Sequence, residues 1–250
     1  MEDEPINFNP PATAKTIDVN FDFMTARNEF DMSLRPFVAA VFDQDCPVVA
    51  LAESIATQTE IGTFLVTDAT DKPEDNLIGF ITLLPIVQGS HLNYPHVYLG
   101  AKGDISMISN SRAALFLCER VINMPTELIP HLHNQLMLDL EWAEGNCEGL
   151  FCYDYVVSLS RCISTMPQTG AARKKRKTVV PDNLLFFRLE DEIMLRYAEE
   201  SFLFESEASR SGYTGKSTDD TCSHKLVMIF SMRSFKQAIQ EVIKSYSSPS

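Results

Sequence analysis

Apolar and polar residues alternate from Ile17 to Phe23, with Ile17, Val19, Phe21 and Phe23 on one side, the period-two pattern of a half-buried strand. From Glu29 to Phe42 the spacing becomes helical through Phe30, Leu34, Phe37, Val38, Val41 and Phe42, with Pro36 a candidate kink. Pro47 then opens a second helical stretch through Ala56. Two strand-like runs, GTFLVTD and NLIGFITLLPI, flank the turn-rich ATDKPED and predict a hairpin. Residues 87–111 carry little pattern and read as a loop with one short helix near Asp104 to Ile108.

AALFLCERVI is a continuous apolar run, as expected of a central strand covered on both faces. The helix predicted over 126–143 places Leu128, Leu132, Leu136, Leu140 and Ala143 on one stripe and His131, Gln135 and Asp139 on another, with Pro130 in its first turn. LFCYDYVVSLS reads as strand, and TMPQTGAARKKRKTVVPD as an exposed loop. NLLFFRL, EDEIMLRYAEE and SFLFES read as strand, short helix and strand. After a polar surface loop from Glu207 to Ser223, KLVMIFSM reads as strand, and Phe235, Ile239, Val242 and Ile243 mark a closing helix. This order predicts an α/β fold, a mixed central sheet flanked by helices. It places one domain over 16–248 after a short disordered segment, 1–15, with flexible loops near 165–181 and 206–223.

Composition narrows the class. With 250 residues and 45% hydrophobic side chains, the chain can build a single core. No apolar run reaches the roughly 18 to 20 residues that span a bilayer, so no membrane partner is expected. The acidic start, Met1 to Glu4, is unlike a secretory signal, so an intracellular protein is expected. Six scattered cysteines without CxxC or zinc-finger spacing read as reduced thiols; Cys118 and Cys152 lie in apolar runs.

The net charge is −13, yet Arg173, Lys174, Lys175, Arg176 and Lys177 are consecutive cations. Setting them aside leaves 16 basic against 34 acidic residues, a net of −18. Such a body repels phosphate backbones, so direct nucleic-acid binding is not expected. It suits a cationic protein partner, or serves solubility alone. The basic run itself lacks the interleaved aromatics of a nucleic-acid site. As an exposed, Pro- and Gly-flanked cluster it fits a nuclear localisation signal held by an import receptor.

Other motifs carry less. A phosphate loop ending at Gly215, Lys216 and Ser217 needs Gly where Arg210 stands. His131 and His133, two apart on a helix, point about 200° away from each other and cannot share one ion; one surface and one half-buried histidine is the reading. Ser158 or Ser160 with these histidines and Asp154 is a chance pairing. No catalytic, cofactor or metal residue is therefore assigned. Glu190, Asp191, Glu192, Glu199 and Glu200 form a candidate acidic docking patch for a basic partner, although the first three also suit a helix dipole.

Several stretches together resemble the BCCIP family of nuclear proteins. The most specific is LFLCERVINMPTELIPHLHNQLMLDLEWA, whose Glu119, Arg120, Ile122, Asn123 and Pro125 are similar to the family's strand–turn–helix motif. IGFITLLPI, FCYDYVVSLSR with its lysine-rich loop, FFRLEDEIMLRYAEESFLF and KLVMIFSMRSFKQAIQEV support it, from about residue 16 onward. The resemblance implies a fold like GNAT acetyltransferases without their activity. It also implies a chaperone or adaptor role: escorting a basic ribosomal protein of the large subunit (the universal protein fourteen) and supporting subunit assembly, with shuttling between nucleus and cytoplasm. Links to DNA-repair and cell-cycle proteins are implied as well. A scaffold in those processes is one alternative, and a CoA-dependent acyltransferase is another. The acetyl-CoA signature that the latter needs begins at QTGAAR but sets Gly170 at the wrong offset from Gln168. Two departures from the family are a short acidic start and a segment between Pro85 and Arg112 that is shorter by about one helix.

Overall fold

In a computed structural model the described residues are 19–42, 46–68, 70–86, 94–164, 184–206 and 222–247. They form β1 (Phe21–Thr25), α1 (Asp31–Val41), α2 (Val48–Thr57), β2 (Gly62–Thr67), β3 (Leu77–Ile86), α3 (Tyr94–Lys102), β4 (Ala113–Arg120), α4 (Leu128–Asn146), β5 (Tyr155–Ser164), β6 (Leu184–Phe186), α5 (Glu190–Leu195), β7 (Glu200–Glu205), β8 (Cys222–Ser231) and α6 (Met232–Ser247). The strands make one sheet in the order β1-β2-β3-β4-β5-β8-β7, with β6 paired to the far end of β5. Only β4 and β5 run parallel, joined by α4 as a crossover, and every other pairing is antiparallel.

Alternation along β4 explains why the sheet is central. Ala113, Leu115 and Leu117 face one layer of helices, and Ala114, Phe116 and Cys118 the other, all buried. On the first face α1, α2 and α3 bring Leu34, Val38, Leu51, Ile55, Tyr98 and Leu99 against Phe64 and Phe80. On the second, α4 and α6 bring Leu132, Leu136, Leu140, Phe235, Ile239 and Val242 onto Phe116 and Phe230. Phe116 and Phe235 meet edge to face, their centroids 5.2 Å apart, within the roughly 4.5 to 7 Å usual for such pairs. Each such ring contributes about 2 to 3 kcal/mol over leaving it in water.

Three expectations change. The helix α3 lies where a loop was expected, and with Tyr98 and Leu99 buried it covers the sheet in the very segment that reads as short of a helix. The polar loop expected up to Ser223 ends sooner, because β8 begins at Cys222. α1 runs unbroken through Pro36, preceded by a short turn of tighter helix at Asn28–Phe30. The hairpin of β2 and β3, the helix opened after Pro47 and the strand–helix–strand order of β4, α4 and β5 match the sequence reading, and the structure adds that β4 and β5 pair in parallel. Beyond Thr82 the end of β3 pairs with β4 alone, a position where Pro85 removes no second ladder bond.

Candidate functional site

The apolar run of β4 ends in two charges, and the fold turns both toward partners inside the molecule. Glu119 is almost fully buried, and its carboxylate accepts from Arg161 of β5 at 2.7 Å while the Arg188 guanidinium lies 3.7 Å away. Arg120 forks onto Glu190 of α5: Nη2 donates to Oε2 at 2.8 Å, and Nη1 donates to Oε1. Arg188, two residues ahead of α5, donates to Asp191 Oδ2 at 2.9 Å and to the carbonyls of Cys118 and Leu159, which ties α5 across β4 and β5. Ser160 donates to the same carboxylate oxygen of Asp191. Three carboxylates thus meet three guanidiniums, a neutral set with its charges in contact.

Burial and pairing pull the two α5 carboxyls in opposite directions. Burial pushes Glu190 up, but the Arg120 fork and charge outweigh it and hold the carboxyl at about 2. At Asp191 burial wins over the neighbouring Arg188, with the Glu190 charge adding to it, and the carboxyl sits at about 6.

A second group adjoins this network. Cys118 of β4, His133 of α4 and Glu190 of α5 are all buried, with one ligating atom of each within 4.8 Å of the others. His133 Nδ1 faces the Ile129 carbonyl at 2.8 Å, one turn back on α4, while Nε2 has no hydrogen-bond partner among the described residues. Burial lowers the basicity of this imidazole, and burial pushes the Cys118 thiol up to about 12.

The structure splits the sequence-derived motif. Glu119 and Arg120 are internal, whereas Ile122 is 98% exposed and Asn123 exposed, at a turn that Met124 N–H closes onto the Val121 carbonyl. Pro125 is half-buried just before α4.

The proposed acidic patch does not form as a surface. Glu190 and Asp191 are 1% exposed because Arg120 and Arg188 draw them inward. Glu192 is exposed beside Arg196 at 3.4 Å, Glu199 accepts from Ser231 N–H at 3.2 Å at the start of α6, and Glu200 is exposed. Of the two histidines, expected to be one at the surface and one half-buried, His131 is exposed and His133 is fully buried. The basic run Arg173 to Lys177 and the Gly215–Ser217 stretch lie outside the described residues.

Sequence reasoning missed Arg161, Arg188, Ser160, Cys118 and His133 as members of one cluster. The available signals were the charged pair ending an apolar run at Glu119–Arg120 and the buried serines within the apolar β5 run.

These features define a class: a three-layer α/β protein in which a short helix is bound to the middle of the sheet by paired internal charges. The BCCIP family model matches residues 16–194, and the chain belongs to the BCCIP family. This is not a family of known enzymes. Similar proteins include Protein BCP1 of Saccharomyces cerevisiae, 26% identical over 78% of this chain and 73% of that one, and Protein bcp1 of Aspergillus fumigatus, 24% identical over 73% and 69%. The crystal structure of BCP1 from Saccharomyces cerevisiae superposes with a TM-score of 0.61 at 20% identity, covering 91% of this chain and 89% of that one. That match supports the mixed, mostly antiparallel sheet flanked by helices; it does not bear on the likeness to acetyltransferases.

Proposed function

We propose that this chain is a non-enzymatic carrier that holds a basic client protein on its acidic exterior, acts in the nucleus, and releases the client when RNA competes for it. The observation that carries this reading is the separation of charge: the internal network is neutral, so the net of −13 resides elsewhere in the chain. A surface suited to such a client runs along α4, where Leu138 and Trp142, one turn apart, are 50% and 54% exposed with Glu141 beside them. An exposed indole can stack on arginine, and a carboxylate on the same helix, Glu141, can pair with its charge. A large-subunit ribosomal protein of the universal type fourteen is the client that the family resemblance favours, and the run Arg173 to Lys177 is the address for an import receptor.

Trp142 is the chain's single tryptophan, so its fluorescence reports on this face. Calorimetric titration with a purified basic ribosomal protein should show affinity falling about tenfold or more between about 0.1 M and about 1 M salt, as the screening length drops from about 10 to about 3 Å. The Trp142 emission should shift on binding. Affinity indifferent to salt overturns the electrostatic reading. Alanine at Arg173, Lys174, Lys175, Arg176 and Lys177 should leave the fold intact and move the protein to the cytoplasm, and unchanged nuclear accumulation refutes the address.

A further inference from the structure

We propose that Cys118, His133 and Glu190 form a buried site for one zinc-like divalent cation, ligated by the cysteine sulfur, the imidazole Nε2 and one carboxylate oxygen. Three separate elements, β4, α4 and α5, deliver these donors to one point where their ligating atoms lie within 4.8 Å of one another. A tetrahedral ion with bonds of about 2.0 to 2.3 Å needs donors roughly 3.4 to 3.7 Å apart. The contraction required is therefore on the order of 1 Å, within reach of side-chain rotation.

Two details favour ligation over an ordinary buried histidine. Nδ1 faces the Ile129 carbonyl at 2.8 Å, the outer hydrogen bond that fixes the tautomer of a metal-bound imidazole and leaves Nε2 with its lone pair. That Nε2 is fully buried and has no hydrogen-bond partner among the described residues, which a polar atom seldom tolerates without a ligand. Glu190 is already gripped by Arg120, yet a carboxylate offers about four acceptor positions and the fork uses two. Arg120 then holds the carboxylate in place, as outer partners of metal ligands do.

On binding, the Cys118 thiol loses its proton to solvent and the sulfur–metal bond forms. The ion thus adds a single positive charge to a neutral network. Because all three donors are buried, the ion enters as the chain folds and ties α4 and α5 to β4. The soft sulfur with nitrogen and oxygen favours zinc over magnesium or calcium.

The test is elemental analysis of the full chain purified without chelator, together with refolding in the presence of zinc or cobalt. The expected result is one zinc per chain and, with cobalt, the sulfur-to-metal charge-transfer absorption and the visible bands of a tetrahedral ion. Cys118→Ser should abolish the charge-transfer band, and His133→Gln should weaken binding by about tenfold or more. Absence of metal both as purified and after refolding overturns the site. So does a cobalt spectrum without the sulfur band, or metal retained in full by Cys118→Ser. The cobalt spectrum of the unaltered chain decides the matter even where a variant fails to fold.

Discussion

Replacing Arg120 with Met leaves the Glu190 carboxylate buried without its fork. Its side chain is 2% exposed, so water cannot take over the lost hydrogen bonds. Breaking a buried pair from one side costs about 3 to 5 kcal/mol. The direction agrees: Arg120 holds the Glu190 carboxyl at about 2 against the upward push of burial, and its loss leaves that push unopposed by the fork. For a chain of this length that cost lowers Tm by about 6 to 20 °C.

The sign with pH follows from the depressed carboxyl. The stabilisation is complete above pH 4.5 and disappears as pH falls toward 2, so the penalty of Arg120→Met is largest at neutral pH and shrinks on acidification. With all chains compared free of metal, removing both charges in Arg120→Met with Glu190→Met should recover stability to within about 1 kcal/mol of the unaltered chain. Lys236→Met, which frees the half-exposed Glu144 at the surface, should cost less than about 1 kcal/mol. Equilibrium urea unfolding of these four proteins and of Glu190→Met alone, followed by circular dichroism at pH 7 and pH 3, measures all of this. If Arg120→Met costs no more than Lys236→Met, or if the double variant shows the sum of two penalties, the network contributes nothing through pairing and the reasoning fails.

Two further outcomes follow from the packing. A Cβ on Gly103 would stand 2.4 Å from Phe202 Cε2, so Gly103→Ala should destabilise by about 1 to 3 kcal/mol, and adding Phe202→Ala should remove most of that further penalty; a Gly103→Ala chain as stable as the original in thermal unfolding refutes the clash. Burial raises the Asp139 carboxyl despite donors at Gln135 and Thr63, so the fold prefers it protonated and its contribution to stability is lost as pH rises through the folded value. Any advantage of Asp139→Asn at pH 7 should therefore shrink toward pH 3 in urea titrations, and an advantage that grows on acidification contradicts the assignment.

Element type was legible wherever periodicity was strong. The stripe through Leu132, Leu136 and Leu140 announced α4, and the unbroken apolar run of β4 announced a strand covered on both faces. The helix α3 was not legible, since YPHVYLGAK contains Pro, Gly and β-branched Val and owes its form to Tyr98 and Leu99 packing on the sheet, a tertiary effect absent from the local pattern. The site was half legible for a similar reason. Glu119 and Arg120 stood out as charges ending an apolar strand, but Glu190 and Asp191 looked like first-turn acids of an exposed helix. Arg120, 70 residues away in sequence, turns Glu190 inward, and Arg188, only three residues ahead of Asp191, does the same for that carboxylate because the distant carbonyls of Cys118 and Leu159 hold it. His133 was weighed against His131, its neighbour in sequence, whereas its neighbours in space come from β4 and α5.

This inward turn constrains where the proposed basic client could bind. The six paired residues carry no net charge, and without them 18 basic residues still face 31 acidic ones, leaving the same −13. A client arginine that sought Glu190 would have to displace Arg120 from its fork and leave that guanidinium without its partner, a one-sided break that costs about 3 to 5 kcal/mol. That would offset the gain from any one new ion pair, whose exposed counterpart contributes less than about 1 kcal/mol. Recognition through many weak exposed carboxylates, such as Glu141 beside Trp142, meets no such opposition, and it makes binding steeply dependent on salt while leaving the fold untouched.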